Sequence, residues 1–254
     1  MYKRQDCEPG SIRFNTDTAN LEYFRGKTLG WSQFELINPN LGGGTGSNTG
    51  VGARGFFAGG YSPSHVNSIE VITIPTLGNA SDFGDLISPR SYNGGNCNSS
   101  TRGLSIGGYS PDTTTRVNTI EFITMASTGN SVDFGDISYV ANSLGSASNS
   151  TRGIIAGGRT PGDANNIEFV TIATTGNSTD FGDLNTVVNG DVGCCSSPTR
   201  CVIGGGGAPQ GAEMLFVEIA STGNAVFFGE LPVAKEGTES LQEPGIWSTG
   251  HGGL

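Results

Sequence analysis

Long apolar runs, basic charge, histidine and tryptophan are all scarce in this chain, and each shortage closes off a class of function. No apolar stretch approaches the ~18 residues of a membrane-spanning helix. Only 13 Lys and Arg stand against 23 Asp and Glu, a formal charge of −10, and the basic residues form no stripe. Nucleic acid is therefore not an expected partner, and the acidity mostly favours solubility. The two histidines, His65 and His251, sit in no recognisable triad context. The five cysteines, Cys7, Cys97, Cys194, Cys195 and Cys201, are odd in number and form no C-x-x-C pair. They are expected as free thiols of a reducing compartment, not as zinc ligands. The opening MYKRQDCEPG lacks the apolar core of a signal peptide. On that expectation the N-x-S/T triplets at Asn79, Asn98, Asn149 and Asn177 follow from a Ser/Asn-rich composition rather than from glycosylation. Helical periodicity is nearly absent.

What the chain has is repetition. The unit is clearest in TRGIIAGGRTPGDANNIEFVTIATTGNSTDFGDL, Thr151 to Leu184. Its copies open at Ala53, Thr101, Thr151 and Thr199, at intervals of 48, 50 and 48 residues. A period near ~50 is too long for one coil of a β-helix and suits one propeller blade. Each copy holds a short apolar run ending in a Gly pair, such as Gly157-Gly158, then an Ile/Val/Phe/Thr-rich run ending in Gly-Asn. The second run reads as a strand entering a turn. Both of its faces are apolar, so it should be covered on both sides. Third comes DFGDL at Asp82, DFGDI at Asp133, DFGDL at Asp180 and FFGEL at Phe227. Because Asp-Phe-Gly recurs, it is read as scaffold and not as a kinase element. Phe83, Phe134, Phe181 and Phe228 become core plugs, with the glycine allowing a bulge. Asp82 and Asp85 with their equivalents supply too few oxygens for a calcium cage of about six to eight ligands.

Arg54, Arg102, Arg152 and Arg200 recur too, as do Glu70, Glu121 and Glu168, replaced by Leu215 in the fourth copy. They are expected to form ion pairs or backbone bonds within or between repeats, with Arg200 needing another acceptor. No catalytic, cofactor-binding or metal-binding residue stands out, and every conspicuous carboxylate is repeated, so no enzyme activity is expected. GGGG at Gly204 to Gly207 lacks the Lys-Ser/Thr of a phosphate loop.

The expected organisation is an all-β chain. Residues 1–41 form a strand module in which Ile12 and Phe14, then Leu21, Tyr23 and Phe24, flank the turn-like NTDTAN as in a hairpin, with another strand in Trp31 to Ile37. Residues 42–52 are a Gly-rich linker. Repeats occupy 53–100, 101–150, 151–198 and 199–244, with a partial one at 245–254. Segments such as Ile87 to Ser100 leave room for one short outer strand. GIWSTGHGG, Gly245 to Gly253, is similar to GFFAGGYSP from Gly55 and reads as the first strand of a fifth unit. Completed by strands of the N-terminal module, it would close a five-bladed ring and remove its edges. The rival is that residues 1–41 are an anchoring arm.

The Gly-Gly-Tyr of the first two copies and the period resemble kelch-type propeller blades, although the Trp of the later kelch strand is missing. NTIEFITMASTGNSVDFGDI, Asn118 to Ile137, followed by Thr-Arg-Gly and a Gly pair, resembles kelch-like repeat proteins in virions of marine tailed bacteriophages. SIRFNTDTANLEYF with its downstream Trp31 is similar to a short module of phage fibre and appendage proteins. The resemblance implies a non-enzymatic virion structural protein, a tail fibre, appendage or head decoration. It would be assembled in the host cytoplasm in multiple copies, with other virion proteins as partners and no cofactor. It also leaves room for a host-surface glycan adhesin using the loops Tyr61 to Asn67, Tyr109 to Asn118 and Arg159 to Asn166, which differ between copies, and, as the least favoured alternative, for a polysaccharide-degrading enzyme.

Overall fold

A computed structural model describes residues 8–15, 20–28, 30–33, 54–74, 77–93, 95–111, 115–161, 164–188, 190, 192–206, 211–235 and 245–248. Among them there is no helix, and every named strand pairs antiparallel. The chain divides into two compact units, Met1–Asn38 and Pro39–Leu254. The Gly-rich linker expected at 42–52 lies outside the described residues.

In the first unit β1 (Ile12–Asn15), β2 (Asn20–Phe24) and β3 (Trp31–Gln33) form one sheet in that order. The hairpin register sets Ile12 opposite Tyr23 and Phe14 opposite Leu21, as the alternating apolar residues require. Glu22 is buried under Arg13, which bonds it at 2.7 Å and lies 4.2 Å from the Trp31 ring. Hydrogen bonds from Asn15 and Arg13 hold the Glu22 carboxyl below its usual range.

The second unit runs β4 (Arg54–Ala58), β5 (Ser68–Thr73), β6 (Ser81–Asp85), β7 (Gly95–Asn98), β8 (Arg102–Ile106), β9 (Tyr109–Ser110), β10 (Thr115–Arg116), β11 (Thr119–Thr124) and β12 (Val132–Asp136). It continues with β13 (Gly145–Ser148), β14 (Arg152–Ala156), β15 (Ala164–Thr171), β16 (Thr179–Val188), β17 (Val192–Ser196), β18 (Arg200–Gly205), β19 (Gly211–Glu218), β20 (Val226–Lys235) and β21 (Gly245–Ser248). Apart from the β9–β10 ribbon these build four four-stranded sheets: β21-β4-β5-β6, β7-β8-β11-β12, β13-β14-β15-β16 and β17-β18-β19-β20.

Two sequence expectations are overturned here. The strand inside Ile87 to Ser100 is not an outer strand of the repeat before it. It is β7, which pairs with β8 and opens the following sheet. The C-terminal strand likewise starts no fifth blade. β21 pairs with β4 and sets Gly245 opposite Ala58, as Gly95 lies opposite Ile106 and Gly145 opposite Ala156. It fills the position of β7 and β13 in the first sheet, while β1 to β3 keep a sheet of their own. The physical reason is the free edge of β4, whose amides and carbonyls need a partner.

β21, β7, β13 and β17 lie beside one another in succession. Between β7 and β13, serine hydroxyls do the bonding: the Asn96 and Asn98 amides donate to Ser146 Oγ and Ser148 Oγ, which donate back to the Asn96 and Asn98 carbonyls.

The core lies between consecutive sheets. Phe56, Ile69 and Phe83 of the first sheet pack on Ile123 and Met125 of the second repeat. Phe134 and Ile120 pack on Val170 and Ile172 of the third. Phe181 and Ile167 pack on Val217 and Ile219 of the fourth. The central strands are accordingly covered on both faces, as in β15, where Ile167, Glu168 and Val170 are all buried. Three of the four expected core plugs hold, and each DFG strand carries the expected bulge. Phe228 does not: it is 49% exposed, and among the described residues no following sheet covers it.

Candidate functional site: the junctions between sheets

The repeated residues converge on the seams. At each one the Gly-Asn turn of one repeat sits on the DFGD strand of the repeat before. The Gly129 amide donates to the Phe83 carbonyl at 2.8 Å and the Ser131 amide to the Asp85 carbonyl at 2.8 Å. In return the Asp85 amide donates to Asn130 Oδ1 at 3.1 Å. The same bonds join Gly176 and Asn177 to Phe134 and Asp136, and Gly223 and Asn224 to Phe181 and Asp183.

Only glycine fits the receiving strand. Gly84, Gly135 and Gly182 have φ of 153°, 145° and 148°, and a Cβ on each would lie 2.4 to 2.5 Å from backbone atoms of the incoming glycine. The motif is therefore a docking groove made of main chain. Its aspartates flank the groove, and among the described residues no group of three or more His, Cys, Asp or Glu is placed to hold a metal ion.

The periodic arginines brace the same seams. Arg54 Nη1 donates to the Met125 carbonyl, Arg102 Nη1 to that of Ile172, and Arg152 Nη1 to those of Ile219 and Ala220. Arg102 and Arg152 also lie over Phe122 and Phe169 at 4.6 and 4.5 Å. The expectation of backbone bonding between repeats holds, but these arginines do not pair with the periodic glutamates. Arg200 meets no further sheet among the described residues and turns to Glu218 of its own sheet. Truncating Arg152 to Ala should destabilise the protein by about 1–3 kcal/mol, the range of a charge-assisted bond with its ring contact. Urea unfolding measures this, and Arg200→Ala, an exposed pair, should cost under about 1 kcal/mol.

The glutamates seal the seams from inside. Glu121 is fully buried in β11 and accepts from the Ile87 amide, the Ser131 hydroxyl and the Arg90 guanidinium. Arg90 also donates to the Gly107 carbonyl. Burial pushes Arg90 down to about 10, so it keeps its charge at neutral pH. In the next junction Glu168 accepts from the Ser138 amide and the hydroxyls of Ser138 and Ser178, while Tyr139 replaces Arg90 and donates to the Gly157 carbonyl. The fourth repeat substitutes Leu215, and that seam opens into a cleft of about 410 Å3 lined by Leu184, Val188, Val192, Ile203 and Leu215. Sequence reading missed Arg90 because no equivalent arginine recurs in the other copies. It also read the recurring Gly-Asn as a strand end, although its fixed place before DFGD was the available signal.

Cys97 and Cys201 are buried, Cys194 is half-buried and Cys195 is exposed, all as free thiols. Burial pushes Cys97 up to about 12, and a hydrogen bond with Cys201, with burial behind it, raises Cys194. Iodoacetamide at pH 8 should therefore label Cys195 in the native protein and reach Cys97 and Cys201 only after unfolding. Peptide mass spectrometry reads the result.

Of the variable loops, the first two meet. Tyr61, 47% exposed, lies edge-on to His65 at 5.3 Å between ring centroids, and His65 lies 5.5 Å from Tyr109. A scan against protein-family models finds no match, and a search of curated proteins finds none.

Proposed function

We propose that this protein is a non-enzymatic structural component of a tailed-phage virion, an exposed tail-fibre, appendage or head-decoration subunit. Its four sheets are read as kelch-like blades of a propeller-type array, with β21 fastening the first. The observation that carries this reading is where the repeated polar residues are used: the arginines, glutamates, glycines and asparagines of the motif hold one sheet to the next. A chain whose distinctive chemistry is spent on its own seams suits a rigid, load-bearing part. The sequence resemblance supplies the virion context. Mass spectrometry of gradient-purified particles tests it: the chain should be present at a fixed stoichiometry and resist salt washing. Its absence from particles would sink the reading.

A second reading is a host-surface adhesin, favoured by the Tyr61–His65–Tyr109 cluster. Aromatic faces gathered by two variable loops are a surface on which a sugar ring can stack. Purified protein should then block phage adsorption, and Tyr61→Ala should abolish the block.

A further inference from the structure

The two ends of the sheet array are the two halves of one unmade junction. At the trailing end, the fourth repeat keeps the receiving groove, Phe228-Gly229, and the bracing Arg200. At the leading end, the first repeat keeps the incoming turn, Gly78-Asn79, and Ile74. Register makes Ile74 the counterpart of Met125, Ile172 and Ile219, since Arg54, Arg102, Arg152 and Arg200 lie opposite the residue before each of them. Those three counterparts are fully buried at a seam, whereas Ile74 is 57% exposed.

Phe228 is 49% exposed where its counterparts Phe83, Phe134 and Phe181 are 2 to 3% exposed. Gly229 tells the same story. A Cβ there would meet only Met214 Cε at 3.6 Å, so nothing among the described residues uses the glycine.

We infer that this protein joins to a second copy of itself head to tail, the Gly78-Asn79 turn of one chain docking on the Phe228-Gly229 strand of the next. The interface already exists three times within the chain, and the main-chain atoms of its turn-on-strand bonds are supplied again at the free ends. One departure fits. Pro232 stands where the Ile87 and Ser138 amides serve a glutamate, and Glu70 already accepts from Ser68 Oγ of its own strand. The third junction already manages without that bond, having Leu215 in place of the glutamate. A contact between two different surfaces propagates or closes into a ring, and does not stop at a dimer.

Sedimentation velocity of the full chain over a concentration series tests this. The wild type should grow beyond its 26.1 kDa monomer mass as concentration rises. Gly229→Ala, which puts a Cβ into the groove, and Ile74→Asp, which charges the opposite face, should each be monomers with unchanged melting temperature. Mixed equally, they should form a species of two chains and no larger, because one intact groove then meets one intact turn. A monomeric wild type whose Gly229→Ala variant melts lower would place the junction within one chain and overturn the inference. A mixture that stays monomeric overturns it as well.

Discussion

Gly135→Ala should destabilise the protein by roughly 3–5 kcal/mol, combining backbone strain with overpacking at one site. Gly135 adopts φ 145°, and its new Cβ would lie 2.5 Å from the carbonyl group of Gly176. Neither atom can retreat: Gly176 is tied to Phe134, and Gly135 sits in a strand paired with β11. Chemical denaturation should show a lower midpoint with an unchanged slope. Gly129→Ala is the matched control, because φ there is 152° while a Cβ would meet nothing within 4 Å. It isolates the backbone strain, about 1–3 kcal/mol, and the excess at Gly135 measures the close approach. Equal losses at the two sites would mean that the sheets are not pressed together at that groove.

Glu121→Ala should cost about 3–5 kcal/mol, because it leaves the Arg90 charge buried without its partner. Arg90 and Glu121 are 1% and 0% exposed, so water does not step in. The double variant Arg90→Met/Glu121→Leu should recover most of that loss, since apolar residues of similar volume can replace a buried pair at little cost. The fourth repeat supplies the natural precedent at Leu215, which is 6% exposed within the apolar core. Unfolding of Arg90→Met, Glu121→Leu and the double variant completes a coupling cycle. If the double variant is as unstable as Glu121→Ala, the bonds from Ile87 and Ser131 matter more than the charge pair.

Local pattern made much of this legible. The apolar residues on both faces of the Ile/Val/Phe-rich strands announced burial on both sides, and Glu168 shows how a polar residue is accommodated there. The recurrence of Asp-Phe-Gly marked it as scaffold, and the bulge and the burial of Phe83, Phe134 and Phe181 follow. The break at Leu215 was visible too, but nothing in the sequence announced the apolar cleft beside it.

What stayed hidden was long-range pairing. β21 joins β4 across nearly the whole repeat region, and nothing local in Gly245–Ser248 names that partner. Its likeness to the Gly55 segment pointed to the wrong strand, since short Gly-plus-apolar runs resemble one another at any position in a sheet. The framing of the repeat failed for a related reason. A period fixes the spacing of equivalent residues but not the point at which one sheet ends and the next begins. Arg90 was invisible because its partner lies 31 residues away in the next repeat.

The most direct test of a chain held together by repeated seams is amide hydrogen exchange, resolved by residue in the monomeric Gly229→Ala background. The Gly129, Gly176 and Gly223 amides, each bonded to a phenylalanine carbonyl of the preceding sheet, should exchange slowly, at rates that track global unfolding. The equivalent Gly78 amide, which meets no preceding sheet among the described residues, should exchange as an open turn does. Fast exchange at all four glycines would contradict the account, because the Gly-Asn turns would then be surface loops and not the fastenings between sheets.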